Sequence, residues 1–472
     1  MNEKKFITTP IYYVNDRPHI GHSFTTLIAD VYSRYYKEKL GAESVFFLTG
    51  TDEHGLKIAQ AAEKHNMSPE EYTNMISQEY KDVWKKLDIQ YDYFIRTTNP
   101  KHKTLVQKFI KDLYDNGYVC KGAYKGYYCI GCEKYLNDDE IVSGACRLHP
   151  NIKLSYQSEE SYFFKLSKFQ NEISRLLTER KYEVYPEERC KEIITRVKEG
   201  IKDVSVSRRD VDWGIPLPWD ESSKVYVWVD ALLNYYSALQ ITGKEMFWPP
   251  DIQFMAKDIL WFHSVIWEGL LLANKLELPK KIFAHGFFTV DGQKMSKTTG
   301  NIIDPVKLVG EYGTDATRYL LLSSFNLCND GDISLSRMKE RYNADLANGL
   351  GNLVSRLSNL CVGIDFEILG LEKTKICSLD KEIGAQLDKF NPHEALKIIW
   401  GYVNALDRDL AIDKPWLYDG SRKKTMLSKY RGQIIDIAIG LIPFMPKTAE
   451  IIINTFSKSK IEKIRPLFVR KI

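Results

Sequence analysis

The sequence predicts an α/β protein: a split domain built on a parallel sheet, interrupted by a long insertion and followed by an all-helical domain. Three observations carry that reading. Short runs of β-branched and aromatic residues alternate with helical patterns over residues 1–117 and again over 214–340, the alternation that makes βαβ units. Between 118 and 213 it gives way to a stretch rich in Tyr, Gly and Cys, followed by short mixed segments. From 341 to 472 helical spacing with polar loops takes over.

In chain order, residues 5–14 (KFITTPIYYV) read as a strand. Asn15-Asp16-Arg17-Pro18 turns the chain into a helix from about His19 to Lys39, closed by Gly41. A second buried strand covers 44–49, and Gly50 to Gly55 forms a loop before the next helix. Ser68-Pro69-Glu70-Glu71 starts a helix with a cap, a first-position proline and a capping-box glutamate. Asn99-Pro100 opens another, which stops near Gly117. After the insertion, apolar runs at 225–229, 252–256 and 282–290 resume the pattern, and Asp291-Gly292 marks a hairpin turn. Helices follow at 341–364, 379–390, 392–412 and 427–442.

Composition excludes several classes. A chain of 472 residues amounts to roughly three domains, and 44% hydrophobic with 27% charged residues excludes a disordered one. Eight cysteines are too few for a disulfide scaffold. The N-terminal MNEKKFITTPIYY has no apolar signal segment, and the most tempting candidate span, Val225 to Leu239, carries Asp230. Neither secretion nor a membrane span is expected; a cytoplasmic protein is.

Three clusters carry chemistry. Cys129-x2-Cys132 and Cys146-x2-His149 form two ligand pairs at the spacing of a tetrahedral zinc site. A closed four-ligand set implies a structural Zn2+, holding together an insertion with little core of its own. The remaining cysteines, Cys120, Cys190, Cys328, Cys361 and Cys377, read as ordinary thiols. His19-Ile20-Gly21-His22 sits where the first strand passes into a helix, a place suited to phosphate. Lys294-Met295-Ser296-Lys297 lies on a Gly-flanked loop, where two lysines can close over a polyphosphate. Each tetrad alone also fits a bland reading, as helix-cap histidines or a solvated basic loop.

Together the two tetrads resemble the paired signatures of class I aminoacyl-tRNA synthetases, with Thr298 where the signature has Ser. Further stretches are similar to the methionyl-tRNA synthetase family, and the likeness runs from about residue 5 to about 420. They are Pro10-Ile11-Tyr12-Tyr13-Val14-Asn15, Thr49 to Gly55 (TGTDEHG), Val227-Trp228-Val229-Asp230-Ala231 and Lys257 to Ser264 (KDILWFHS). Leu232 and Ala256 stand where some members carry Pro and Gly. The resemblance implies a split Rossmann-like nucleotide-binding domain (1–117 and 214–340), a zinc-binding connective insertion (118–213) and an all-α anticodon-binding domain (341–472). It implies ATP-dependent activation of L-methionine to methionyl-adenylate and transfer to the 3′ end of tRNA(Met), with Mg2+ arriving with ATP.

The resemblance also distributes roles. His19, Gly21, His22, Lys257, Asp258, Lys294 and Lys297 would bind ATP; of these His19, His22, Lys294 and Lys297 would stabilise the phosphoryl transition state. Asp52 would hold the substrate ammonium. Trp228, Ala231, Leu232 and Tyr235 fall on one helical face, as do Ile259, His263 and Trp267. The resemblance joins these faces to Ile11 and Tyr13 as an aromatic pocket for a thioether. Asn352, Arg356 and Trp416 would read the anticodon. One methylene is worth only ~1–3 kcal/mol, so homocysteine would be the hard competitor, and the resemblance implies that it is rejected by editing within the synthetic site. The insertion of roughly 95 residues is too short for the separate editing domain of the leucine, isoleucine and valine enzymes, which favours methionine. Many members carry an extra C-terminal dimerising module; this chain has no room for it, so a monomer is expected.

Charge agrees with an RNA partner once it is resolved along the chain. The net balance is only +4, but residues 422–472 hold 12 Lys/Arg against 3 Asp/Glu. That basic stretch is where a phosphate backbone would lie. A different nucleotidyltransferase of the HxGH kind would explain the histidines but not the zinc insertion or the helical domain. A non-catalytic RNA-binding module would leave both phosphate tetrads idle.

Overall fold

The computed structural model describes residues 3–132, 134–136, 140–147, 149–209, 211–290, 292–295, 302–369 and 378–472. Strand β1 (Lys5–Tyr13) leads into helix α1 (Ile20–Leu40), followed by β2 (Val45–Asp52), α2 (Leu56–Lys64), α3 (Pro69–Lys86), β3 (Tyr93–Arg96) and α4 (Pro100–Asp115). These elements begin where the local chemistry directs. Ser68 caps α3 with Glu71 reciprocating and Pro69 in the first turn, and Asn99 caps α4 through Lys101 N–H.

Among the described residues the main sheet has six parallel strands. Their order is β3, β2, β1, then Ile252–Ala256, Lys281–His285 and Glu183–Tyr185. The chain leaves β1 to one side for β2 and returns to its other side at 252–256. Strand order therefore reverses at β1, which opens a crevice at the carboxyl ends of the strands. Alternate residues face two cores: Ile7, Phe47, Phe254 and Phe283 pack toward α1, α3 and the C-terminal helices. Phe6, Phe46, Leu48 and Met255 pack toward the opposite face. Pro10 lies inside β1 and cannot donate to the ladder, and the β1–β2 register shifts between Thr8 and Ile11.

The insertion carries an antiparallel sheet in which Val119–Cys129 and Ser155–Phe164 pair over nearly their whole length, with a small hairpin at Ile141–Val142 and Ala145–Cys146 beside it. It returns to the parallel sheet earlier than the boundary at 213 implies, because Glu183–Tyr185 is the sheet's outer strand. Three residues are too short a run for alternation to reveal. The predicted hairpin at 291–292 appears as Phe288–Val290 paired with Gln293–Lys294.

C-terminal helices run over Leu335–Arg341, continuing through a π-helical segment, Tyr342–Gly351, into Asn352–Cys361. Ser378–Leu387, Pro392–Asp413, Gly420–Leu441 and Pro446–Phe456 follow. The third of these starts seven residues before the expected 427, since its lysine-rich first turns carry no apolar period, and the last was not anticipated. Arg318, on Thr314–Ser323, is fully buried where these helices meet the sheet domain. It donates to Phe444 O (2.8 Å), Pro443 O (2.9 Å) and Leu87 O (3.1 Å) and pairs with Asp30 of α1 at 2.7 Å. Among the described residues no helix is long and apolar enough to cross a membrane.

Candidate functional site

The crevice at the strand ends holds a cavity of about 500 Å3. The four central strand ends contribute: Pro10 to Tyr13 from β1, Asp52 from β2, Ala256 and His285 from the next two. The start of α1 forms one wall through His19, Gly21 and His22.

That helix start is capped by imidazoles where Ser and Glu usually serve. His19 Nδ1 accepts from Gly21 N–H at 3.0 Å, and His22 Nδ1 accepts from His19 N–H at 3.3 Å. The rings stack with centroids 3.8 Å apart. With both Nδ1 atoms accepting, each neutral ring keeps its proton on Nε2, a donor free of the cap. A Cβ on Gly21 would lie 2.9 Å from His19 Cε1, so the turn needs a glycine for this ring position.

Burial holds the site's imidazoles neutral. His19, His263 and His285 are each lowered to about 4, and His22 falls well below the usual 6.5. The unfolded chain binds protons near 6.5 that the folded chain refuses, so stability is full above pH 6.5 and falls as pH drops toward 4. Acidifying to pH 5.5 is expected to remove roughly 1 kcal/mol per histidine. A urea midpoint unchanged between pH 7.5 and 5.5 contradicts this.

The opposite wall is aromatic. Trp228, Ala231, Leu232 and Tyr235 line the cavity from the helices Val227–Leu232 and Asn234–Thr242, and Ile259 and His263 complete it. Trp228 stacks on Phe262, with centroids 3.8 Å apart and planes at 11°. His263 Nδ1–H donates to Ile259 O at 3.0 Å, and its Nε2 accepts from Tyr235 OH at 2.8 Å. Both polar atoms of that pair are thus satisfied within the wall, leaving an uncharged surface. Trp267 departs from expectation: it is fully buried behind the wall, its ring 6.1 Å from Tyr235 and 6.4 Å from Trp248. Four residues are not a whole turn, so rotation accumulates over two such steps, here through a π-helical segment.

Of the other expected residues, Asp258 lines the cavity. Lys257 does not; its Nζ lies 2.7 Å from both oxygens of Asp330. Lys294 is in the hairpin strand, and Lys297 and Thr298 lie outside the described residues, as does Cys377. Met295 and Ile302, on either side of that stretch, both line the cavity. Sequence reasoning missed His285, whose Nδ1–H donates to Gly286 O and whose Nε2 accepts from Thr25 Oγ1, each at 2.7 Å. A histidine closing the apolar run that begins at 282 was the available signal.

Cys129, Cys132, Cys146 and His149 converge, their ligand atoms all within 4.8 Å of one another. Cys132 Sγ is 3.6 Å from Cys146 Sγ and 3.2 Å from His149 Nδ1; Cys129 and Cys146 Sγ are each 3.8 Å from that nitrogen. Donors bound tetrahedrally to zinc sit about 3.5–3.8 Å apart, so this set could hold a metal ion. A Cβ on Gly131 would lie 2.4 Å from His149 Cγ, which keeps that turn glycine. Gly131, Cys132 and His149 also line the cavity, and Lys57 Nζ donates to Gly131 O from beside the Tyr13 ring.

Asn352, Arg356 and Trp416 lie on the C-terminal helices and do not line the cavity. Asn352 is exposed, Arg356 pairs with Asp407 at 2.8 Å, and Trp416 is 45% exposed.

Known proteins share this arrangement. The family model described as tRNA synthetases class I (M) matches residues 5–155 and 146–358. The methionine–tRNA ligase of Thermotoga maritima is 39% identical over 472 residues, covering 95% of this chain and 74% of that one. The corresponding ligase of Caldanaerobacter subterraneus subsp. tengcongensis is 38% identical, covering 95% and 73%. The structure of Mycobacterium tuberculosis methionyl-tRNA synthetase in complex with methionyl-adenylate superposes with a TM-score of 0.89 at 31% identity, over 96% of this chain and 94% of that one. The chain belongs to the methionine–tRNA ligase family of class I tRNA synthetases.

Proposed function

We propose that the protein activates L-methionine with ATP and transfers it to the 3′ end of tRNA(Met). One observation carries this reading: a single cavity joins an imidazole-capped helix start, a carboxylate at a strand end and a neutral aromatic wall. In the first step the methionine carboxylate attacks the α-phosphate of ATP, giving methionyl-adenylate and pyrophosphate. In the second, the terminal ribose hydroxyl of tRNA displaces AMP. No enzyme nucleophile is required; positioning and electrostatics suffice.

Asp52 holds the ammonium and the wall of Trp228, Tyr235 and His263 receives the thioether. The Nε2–H groups of His19 and His22 meet the phosphates, Lys294 and Lys297 clamp the polyphosphate with its Mg2+, and Asp258 takes the ribose. Cys129, Cys132, Cys146 and His149 would hold a structural Zn2+, which would tie the knuckle together beside the cavity. Asn352, Arg356 and Trp416 read the anticodon by stacking and edge hydrogen bonds, and the basic 422–472 stretch faces the RNA backbone. A translation enzyme of this kind works in the cytoplasm.

ATP–pyrophosphate exchange with methionine, leucine and cysteine side by side tests the reading. Exchange is expected with methionine only. Exchange driven by leucine alone overturns the substrate, and none with any amino acid overturns the activity.

A further inference from the structure

Asp230 is enclosed by histidines. It lies between Trp228 and Ala231 in sequence, yet its carboxylate serves a buried relay rather than the cavity. Oδ2 meets His54 Nδ1 at 2.7 Å, and Oδ1 meets His102 Nε2 at 2.7 Å. His102 Nδ1 is 2.6 Å from Ser237 Oγ. All four side chains are at most 3% exposed. An ionised carboxylate only accepts, so His54 carries its proton on Nδ1 and His102 on Nε2; His102 Nδ1 then accepts from the Ser237 hydroxyl. Burial pushes the Asp230 carboxyl up, but the two imidazoles outweigh it and hold it down to about 2.

The relay ties together the parts of the cavity that must agree on distance. His54 is two residues beyond Asp52; Asp230 shares a helix with Trp228 and Ala231; Ser237 is two residues beyond Tyr235. His102 reaches in from α4. On its other side, the same loop is held by Glu53, whose carboxylate accepts from Thr51, Ser77, Arg96 and Thr98. Charged hydrogen bonds in a dry interior are directional and costly to break.

We propose that Asp230, through His54 and His102, sets the separation between the Asp52 carboxylate and the aromatic wall, and thereby the side-chain length the site accepts. Asp230, His54 and His102 are positioning residues in this scheme, which rests on the methionine-activating reading above. Asp230→Asn keeps the shape but turns an N–H toward one imidazole, breaking one bond. It is expected to raise KM for methionine about 10–100-fold, to leave KM for ATP within about twofold, and to narrow the preference for methionine over homocysteine. Ser237→Ala, at the far end of the relay, serves where Asp230→Asn does not fold; it should shift methionine KM in the same direction by a smaller factor. Equal shifts in both KM values, or an unchanged methionine-to-homocysteine ratio, overturn the proposal. A wild-type protein without methionine-dependent exchange overturns the functional reading first, and this proposal with it.

Discussion

Replacing His22 by Ala is expected to slow methionine-dependent ATP–pyrophosphate exchange by about 100–1,000-fold, the cost of one donor lost from a developing charge. Methionine affinity should stay within about twofold, because the aromatic wall proposed to receive the thioether lies across the cavity. The ring has two jobs in the structure. Its Nδ1 accepts from His19 N–H to cap α1, and its Nε2–H is the donor left over. Losing the cap alone costs about 0.5–2 kcal/mol of stability. His22→Asn separates the two, since its side-chain oxygen can still accept from the backbone. Thermal stability should recover in that variant while the exchange rate does not. Recovery of both would assign His22 to structure alone, and an equal loss of rate and methionine affinity would move it to the amino-acid side.

The second large effect concerns the metal knuckle. Cys132→Ala is expected to drop bound zinc below one per chain and to lower kcat/KM for exchange by about 10–100-fold. A structural site remote from the chemistry would leave kinetics alone. Here Cys132, Gly131 and His149 are themselves cavity wall, and Gly131 O receives Lys57 beside Tyr13. Loss of the ion frees a turn that cannot shift without moving that wall. Metal analysis and exchange kinetics on the same preparation decide it: depleted zinc with wild-type kinetics refutes the coupling.

Much of this was readable in the sequence where local rules dominate. The helix start at Ser68, the hairpin near 291 and the face from Trp228 to Tyr235 obey periodicity and capping, which need only neighbouring residues. Zinc-ligand spacing is equally local, and the four donors do converge. What escaped depends on partners far along the chain. The strand 183–185 is defined by pairing with residues near 282, not by its own three side chains. Trp267 follows the expected spacing, yet accumulated rotation turns it behind the wall. Asp230 read as a charge spoiling an apolar run; its meaning needs His54 and His102, each more than 120 positions away. Lys257 carries the right charge, but Asp330, supplied by a distant loop, takes it.

The guanidinium of Arg318 bears on how an RNA would be judged. Its bonds reach the turn before Pro446–Phe456, the end of α3 and Asp30 of α1, and Thr448 N–H adds a bond to Asp315 on the same helix. Separating these parts would break the buried Arg318–Asp30 pair and the carbonyl bonds together, so the joint resists opening. On the proposed reading, in which Trp416 meets the anticodon, that joint would set the span between the RNA's loop contact and the cavity that receives its other end.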